Sequence, residues 1–244
     1  MKIACYALAY NEEQILPHFI DHYKKFCDKI VIYDNMSTDN TKELSLDLGC
    51  EVIQWEAKGG GLSDQSYLDI KSNCYKQDRK EYDWVITVDS DEFITHKDGD
   101  DFFIKSMEEY TTAGVMLPKV KGYNMFSWDH DLSESFDKIK EAVPSDSYSK
   151  SVVFNPLLDI SWEPGCHVCH NINDSKDEQI VLKHYKFINY NYVVRRSSFF
   201  GSRLSEDNKQ KGHGTHYTWS EEKWLAYYKD LEKGKITYGA HSTI

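Results

Sequence analysis

The amino-acid sequence predicts an α/β protein with a mostly parallel sheet covered by helices on both faces. Three observations predict it. Apolar runs of strand length alternate with segments of helical periodicity through the first half of the chain. The helical segments are long enough to cross over between parallel strands. Polar clusters follow the strands at corresponding places, as if delivered to one rim.

The elements follow in order. Lys2 to Ala9 reads as a strand. Asn11 with Gln14 forms an N-x-x-Q capping pattern before a helix whose apolar positions are Ile15, Phe19, Tyr23 and Phe26. Ile30-Val31-Ile32-Tyr33 is a buried strand, closed by the polar turn Asp34 to Asp39. A second helix starts near Asn40, with Glu43 three residues on and Gly49 as its terminating glycine. Glu51 to Trp55 is the third strand, and Gly59-Gly60-Gly61 a flexible loop. A helix follows from about Ser63 to Gln77, and Trp84 to Val88 is the fourth strand. Tyr10-Asn11, Asp34-Asn35 and Asp89-Ser90-Asp91 each fall at a strand's carboxyl end, where ligands of parallel sheets bind.

The second half is less regular. Asp100 to Tyr110 reads as a helix, Val115 to Val120 as a strand, and the polar stretch from about Asp129 to Lys150 as a long loop. Strand-like runs follow at Val152 to Phe154 and Gln179 to Tyr185, and the end is helical from Trp219 to Leu231. No linker divides the chain, so residues 1–244 are expected to form one domain with a ligand-binding half (1–98) and a second half (99–244).

Bulk properties narrow the function. A formal charge of −11 argues against a nucleic-acid partner, which needs a basic field. The N-terminal apolar run lacks a signal-peptide cleavage site, and no stretch approaches the roughly 18–20 apolar residues that span a bilayer. The expectation is a cytoplasmic protein, acting at the membrane face if its acceptor is lipid-linked. The six cysteines are scattered, as expected of free thiols. Cys166-His167-Val168-Cys169-His170 matches the C-x-x-C-H string of haem attachment and half of a zinc site. The export context that haem attachment requires is missing, and no second C-x-x-C completes a zinc set.

Asp89-Ser90-Asp91, with Glu92 following, ends an apolar strand. Carboxylates at i and i+2, where a strand opens into a turn, can converge on one hard cation. Mg²⁺ or Mn²⁺ held this way takes its remaining ligands from substrate phosphates. An acidic turn without a metal satisfies the same string.

Taken together, these clusters resemble the family-2-like glycosyltransferases of the GT-A fold. The matching pieces are Ala9-Tyr10-Asn11-Glu12, the run Tyr33 to Thr41, and Val88-Asp89-Ser90-Asp91-Glu92-Phe93. Later pieces resemble the type 4 subgroup of that family: Tyr148-Ser149-Lys150, Phe154-Asn155-Pro156, Pro164-Gly165-Cys166-His167, Leu182-Lys183-His184-Tyr185-Lys186 and Gly212 to Tyr217. The resemblance implies a Rossmann-like GT-A fold, a nucleotide-sugar donor (UDP-linked by family habit), Mn²⁺ or Mg²⁺, a glycan or lipid-linked acceptor, and inversion.

It also implies roles. Tyr10, Asn11, Glu12, Asp34 and Asn35 are expected to hold the nucleoside, although a helix cap and a polar turn use the same residues. Asp91 is expected to hold the metal, with Asp89 close behind and facing the donor. His184 is the expected third ligand, with His216 competing from a glycine-flanked segment expected to form a lid over the diphosphate. Of the nearby cations Arg195, Arg196, Arg203, Lys209 and Lys211, Arg203 is favoured for neutralising phosphate. Glu163 and His167 are the candidates for the general base, with Asp159 third, because they lie in the acceptor-side segment.

Two rivals stand beside this reading. A nucleotidyltransferase normally carries a glycine-rich loop where this chain has Tyr10-Asn11-Glu12-Glu13. A catalytically silent carbohydrate-binding protein has no need of an intact acidic pair beside a nucleoside loop.

Overall fold

The computed structural model describes residues 1–58, 60–163, 166, 169–170 and 178–238, the side chains of 169 and 170 excepted. Four strands, β1 (Ile3–Ala9), β2 (Lys29–Asp34), β3 (Glu51–Gln54) and β4 (Trp84–Asp89), alternate with three helices, α1 (Leu16–Tyr23), α2 (Thr41–Asp47) and α3 (Asp64–Lys71). All four strands pair in parallel, in the order β3-β2-β1-β4. The α/β class and its mostly parallel sheet are borne out. Every residue of β1 is buried, which is why this strand reads as an apolar run without alternation. The crossovers reverse direction at β1, so right-handed connections place α1 and α2 on one face and α3 on the other. The crevice where such a sheet receives ligands therefore opens at the carboxyl ends of β1 and β4.

The helices α2 and α3 start where the sequence places them, near Asn40 and Ser63, whereas the start of α1 and the end of α3 differ. α1 begins at Leu16, not Asn11, and its N-terminal residue Ile15 makes no side-chain cap; Pro17 starts the helix instead. Asn11 adopts a left-handed conformation (φ 53°) and serves the neighbouring turn. Asn40 does not cap α2; Asp39 Oδ1 accepts from the Thr41 N–H at 3.0 Å. α3 is capped by Ser63 as expected but ends at Lys71, six residues early.

The second half adds β5 (Glu92–His96), α4 (Phe103–Ala113), β6 (Val120–Phe126), β7 (Glu141–Pro144), β8 (Val153–Phe154), β9 (Ser161–Trp162), β10 (Cys169–His170), β11 (Ile180–Phe187), α5 (Tyr190–Ser202), α6 (Glu206–Lys211), α7 (Glu221–Gly234) and β12 (Ile236–Thr237). β8 extends the first sheet antiparallel to β4. A second sheet runs β12-β7-β6-β11-β5, with only the β6–β11 pair parallel. Several expectations are corrected here. β5 was hidden by the acidic turn that precedes it, and all five of its residues are buried, which erases alternation. The expected strand over 115–120 begins only at Val120, after Pro118, which has no N–H to give to a ladder, and it runs on to Phe126 through Gly122 and Asn124, which break the apolar pattern. The polar stretch 129–150 carries β7 and two single turns. α5 and α6 had no counterpart in the sequence reading.

β4 belongs to the first sheet and β5 to the second, so the Asp89–Glu92 turn is the hinge between them. Register does the rest. His184 of β11 lies opposite Glu92 of β5 on one side and Asn124 of β6 on the other. A separate small apolar cluster of Tyr10, Leu62, Phe200 and Leu204 fastens the α5–α6 segment over the first sheet's rim. No helix among the described residues is long and apolar enough to cross a membrane.

Candidate active site

A cavity of about 410 Å³ opens at the carboxyl ends of β1 and β4, between the two sheets and the segment from α5 to α7. Tyr10, Glu12, Asp89, Asp91, Glu92, His184 and His216 line it, so seven residues singled out by sequence meet in one place. Lys71, Lys150, Lys186 and Arg196 line it too. The cavity thus holds cations and carboxylates side by side.

The hinge turn is held by two buried lysines. Lys71, at the end of α3, pairs with Asp89 Oδ1 at 2.9 Å. Lys150 pairs with Glu92 at 2.5 Å, and both side chains are nearly inaccessible, at 2% and 1%. Glu92 also accepts the Asp89 N–H at 3.1 Å, so it fixes the backbone of the turn. Burial opposes ionisation of Asp89, but Lys71 and then Lys150 outweigh it and hold the carboxyl below its usual range. Burial pushes Glu92 upward, with Lys150 acting against it.

Asp91 Oδ2 lies 3.7 Å from His184 Nε2 and 3.2 Å from Arg196 Nη1. His184 Nδ1 donates to Asn124 Oδ1 at 2.7 Å, and the ring stacks on Tyr148 with centroids 3.8 Å apart. Burial, reinforced by Lys186, Lys150 and Arg196, drives the His184 pKa well below its usual value. The imidazole is therefore neutral, and with its proton committed to Asn124, Nε2 presents a lone pair to the Asp91 carboxylate. Two acceptors facing each other with no proton between them suit a cation. Asp91 and His184 are the residues that would hold such a cation, and both are donor types that divalent metals accept. Among the described residues no group of three or more His, Cys, Asp or Glu is placed to hold a metal by itself, so a cation here would need oxygens from substrate as well. An Asp–His pair completed by phosphate fits Mn²⁺ or Mg²⁺ chemistry. Asp89, engaged by Lys71, stands beside this pair rather than in it.

Glu12 enters from the other side. Its N–H donates to Thr41 Oγ1 at 2.7 Å, and its carboxylate binds Arg196 and accepts from the Tyr192 hydroxyl at 3.2 Å. Burial raises its pKa to about 7; Arg196 opposes the shift and Asp91 adds to it. Arg196 thereby bridges Glu12 and Asp91. Burial, and next Arg196, lower the Lys186 pKa to about 8.

The remaining residues expected at the nucleoside are placed differently. Asn11 Oδ1 accepts the Thr38 N–H at 2.7 Å, and Asp34 Oδ1 accepts the Ser37 N–H at 3.1 Å. Asn35 donates to the Gly61 carbonyl and the Tyr67 hydroxyl. Asp34 and Asn35 are fully buried, and these three side chains brace the rim turn without lining the cavity. Asn11, Met36 and Cys166 are the non-glycine residues with positive φ among those described, and all three sit in rim loops or the cavity wall. Arg203 lies over the Tyr10 ring, 3.2 Å from its centroid, rather than in the cavity; its Nη1 is buried without a hydrogen-bond partner. The close docking of this segment requires Gly61, where a Cβ would fall 2.1 Å from the Arg203 carbonyl oxygen. His216 Nε2 lies 3.2 Å from Lys186 Nζ. Glu163 is exposed and not among the lining residues, whereas Cys166 lines the cavity. His167 lies outside the described residues. Asp159 is 73% exposed and paired with Arg79 and Lys76.

Lys71, Lys150 and Lys186 were not singled out from sequence. Lys150 and Lys186 close the motifs Tyr148-Ser149-Lys150 and His184-Tyr185-Lys186, which is the signal that marked them. Lys71 carries no such mark; its position at the end of α3, facing β4, emerges only from the fold.

No family model matches the chain. In sequence it is 23% identical to an uncharacterized glycosyltransferase of Rickettsia prowazekii, over 86% of this chain and 69% of that protein. A counterpart from Rickettsia typhi is 22% identical over the same shares. Among solved structures, glucosyl-3-phosphoglycerate synthase from Mycobacterium tuberculosis, in complex with Mn²⁺, UDP and glucosyl-3-phosphoglycerate, aligns at 18% identity and a TM-score of 0.34. That alignment covers 50% of this chain and 44% of the synthase. The resemblance to glycosyltransferases read from the motifs is borne out by the relatives in sequence.

Proposed function

We propose that this chain is a metal-dependent glycosyltransferase of the GT-A type. It moves a sugar from a nucleotide-sugar donor, UDP-linked, to the hydroxyl of a glycan or lipid-linked acceptor, with inversion. The observation that carries this reading is the pairing of Asp91 Oδ2 with the lone pair of His184 Nε2, 3.7 Å apart at the sheet's ligand-binding rim. The relatives in sequence support the same class of reaction.

In this reading Asp91 and His184 would hold Mn²⁺ or Mg²⁺, which would supply Lewis-acid stabilisation to the leaving diphosphate. Asp89, kept ionised by Lys71, faces the donor and accepts hydrogen bonds from its hydroxyls. Glu92 and Lys150 keep the hinge turn rigid, so that its carboxylates need no reorganisation during the reaction. Tyr10 and Glu12 form the wall nearest β1, and the α5–α6 segment covers the rim and limits water. Transfer with inversion needs one base to take the acceptor proton. The cavity-facing position of Cys166 supports placing that base in the 163–167 segment, with Glu163 and His167 as its candidates.

A thermal-shift panel of nucleoside diphosphates, with and without Mn²⁺, tests the proposal. Stabilisation by UDP that requires the metal is the expected result. No shift with any nucleotide, with or without metal, contradicts it.

A further inference from the structure

Lys186 projects from β11 into the cavity, two residues beyond His184. Its ammonium lies 3.2 Å from His216 Nε2, within hydrogen-bond reach. Around it stand the faces of Tyr217, Phe187 and Trp224, with ring centroids 5.0, 5.6 and 5.8 Å away. Among the described residues no carboxylate lies within ion-pairing distance of it. Lys71, Lys150 and Arg196, the other cations of this cavity, each have one. A cation walled by aromatic rings and left without a counter-charge is costly unless an anion arrives.

A second cation in the same cavity, already paired with carboxylates, has one donor left over. Arg196 Nε is buried and has no hydrogen-bond partner, although its two terminal nitrogens are engaged by Glu12 and Asp91. Two donors awaiting acceptors, on β11 and α5, thus flank the Asp91–His184 pair. A ligand that suits both donors is anionic and offers more than one oxygen. Asp91 and Glu12 already occupy the acidic side of the cavity, so the anion is received on the Lys186 side.

We infer that Lys186, seconded by Arg196, is the residue that takes the diphosphate of the donor and holds the leaving nucleoside diphosphate. The inference rests on the nucleotide-sugar reading above and adds to it an assignment the motifs did not supply, since Arg203 is engaged with Tyr10. His216 then positions the ammonium rather than contacting a metal.

The test is calorimetric titration of the full chain in Mn²⁺ with UDP, uridine and inorganic pyrophosphate, for the wild type, Lys186→Met and Lys186→Arg. A lost charge-assisted hydrogen bond should weaken UDP and pyrophosphate about 10- to 100-fold in Lys186→Met and leave uridine unchanged. Lys186→Arg should restore UDP to within about threefold of the wild type, because it returns the cation. Equal loss of UDP and uridine in Lys186→Met would mean a structural role and overturn the inference. Unchanged UDP affinity would overturn it as well, while leaving the glycosyltransferase reading intact. Failure of the wild type to bind UDP or pyrophosphate at all would remove the reading itself, and the inference with it.

Discussion

Replacing Lys150 with Met should destabilise the protein severely, through one buried ion pair. Lys150 and Glu92 are 2% and 1% accessible at the side chain, so the substitution leaves a carboxylate buried beside Asp89 without its main counter-charge. Breaking a buried pair from one side costs about 3–5 kcal/mol. Lys71, which also acts on Glu92, moderates the loss toward the lower figure. An unfolding entropy of about 2.1 cal/mol/K per residue gives the chain of 244 residues roughly 0.5 kcal/mol/K, so Tm should fall by about 6–10 °C. Glu92→Gln in the Lys150→Met background should recover most of this, since a neutral amide oxygen can still accept the Asp89 N–H. Thermal and urea melts of the two single variants and the double variant supply the cycle. A Lys150→Met protein within about 0.5 kcal/mol of the wild type, or strictly additive substitutions, would refute the claim that this pair holds the turn.

Other consequences follow from the same geometry. Asn124→Leu removes the acceptor that fixes the His184 tautomer, and Mn²⁺ affinity should drop about 10- to 100-fold with little loss of fold, as read by metal titration. Gly122→Ala would put a Cβ 2.1 Å from the Tyr148 carbonyl carbon; displacing the Tyr148 stack should cost about 1–3 kcal/mol in melts and weaken metal binding as well. Burial alone would raise the Asp100 pKa, but His22, Lys25 and Thr95 outweigh it and hold the carboxyl well below its usual range. Its stabilising contribution is therefore present above the unfolded value of about 3.9 and is lost as pH falls through the folded value. The Tm gap between wild type and Asp100→Asn should be steady down to about pH 4 and shrink progressively as the pH falls further; a gap that stays unchanged well below pH 4 would contradict the assignment.

The first half of this fold was legible because its central strands β1 and β4 are buried almost throughout and its loops carry polar residues at the strands' carboxyl ends. The rim motifs Tyr10-Asn11, Asp34-Asn35 and Asp89 to Asp91 consequently marked the right edge of the sheet. What each residue does there was less legible. Asn11 and Asp34 accept backbone N–H groups of the rim turn and Asn35 donates to Gly61 and Tyr67, so the polar-turn use of these residues, also open in the sequence, is the one the fold takes. His184 was readable as a candidate ligand, yet it stands inside β11 and its ring is oriented by Asn124 and Tyr148, which only register and the close approach at Gly122 bring to it. α5 and α6 escaped notice because their short apolar faces follow β11 without a glycine or proline break, and α6 buries little besides Asn208.

The most direct measurement is diffraction from crystals soaked with UDP and Mn²⁺, recorded at the manganese absorption edge. The account predicts one anomalous peak within about 2.1–2.2 Å of Asp91 Oδ2 and His184 Nε2, bridged to the diphosphate and absent from crystals of Asp91→Asn. A manganese peak elsewhere, or ordered UDP with no metal between Asp91 and His184, would contradict it.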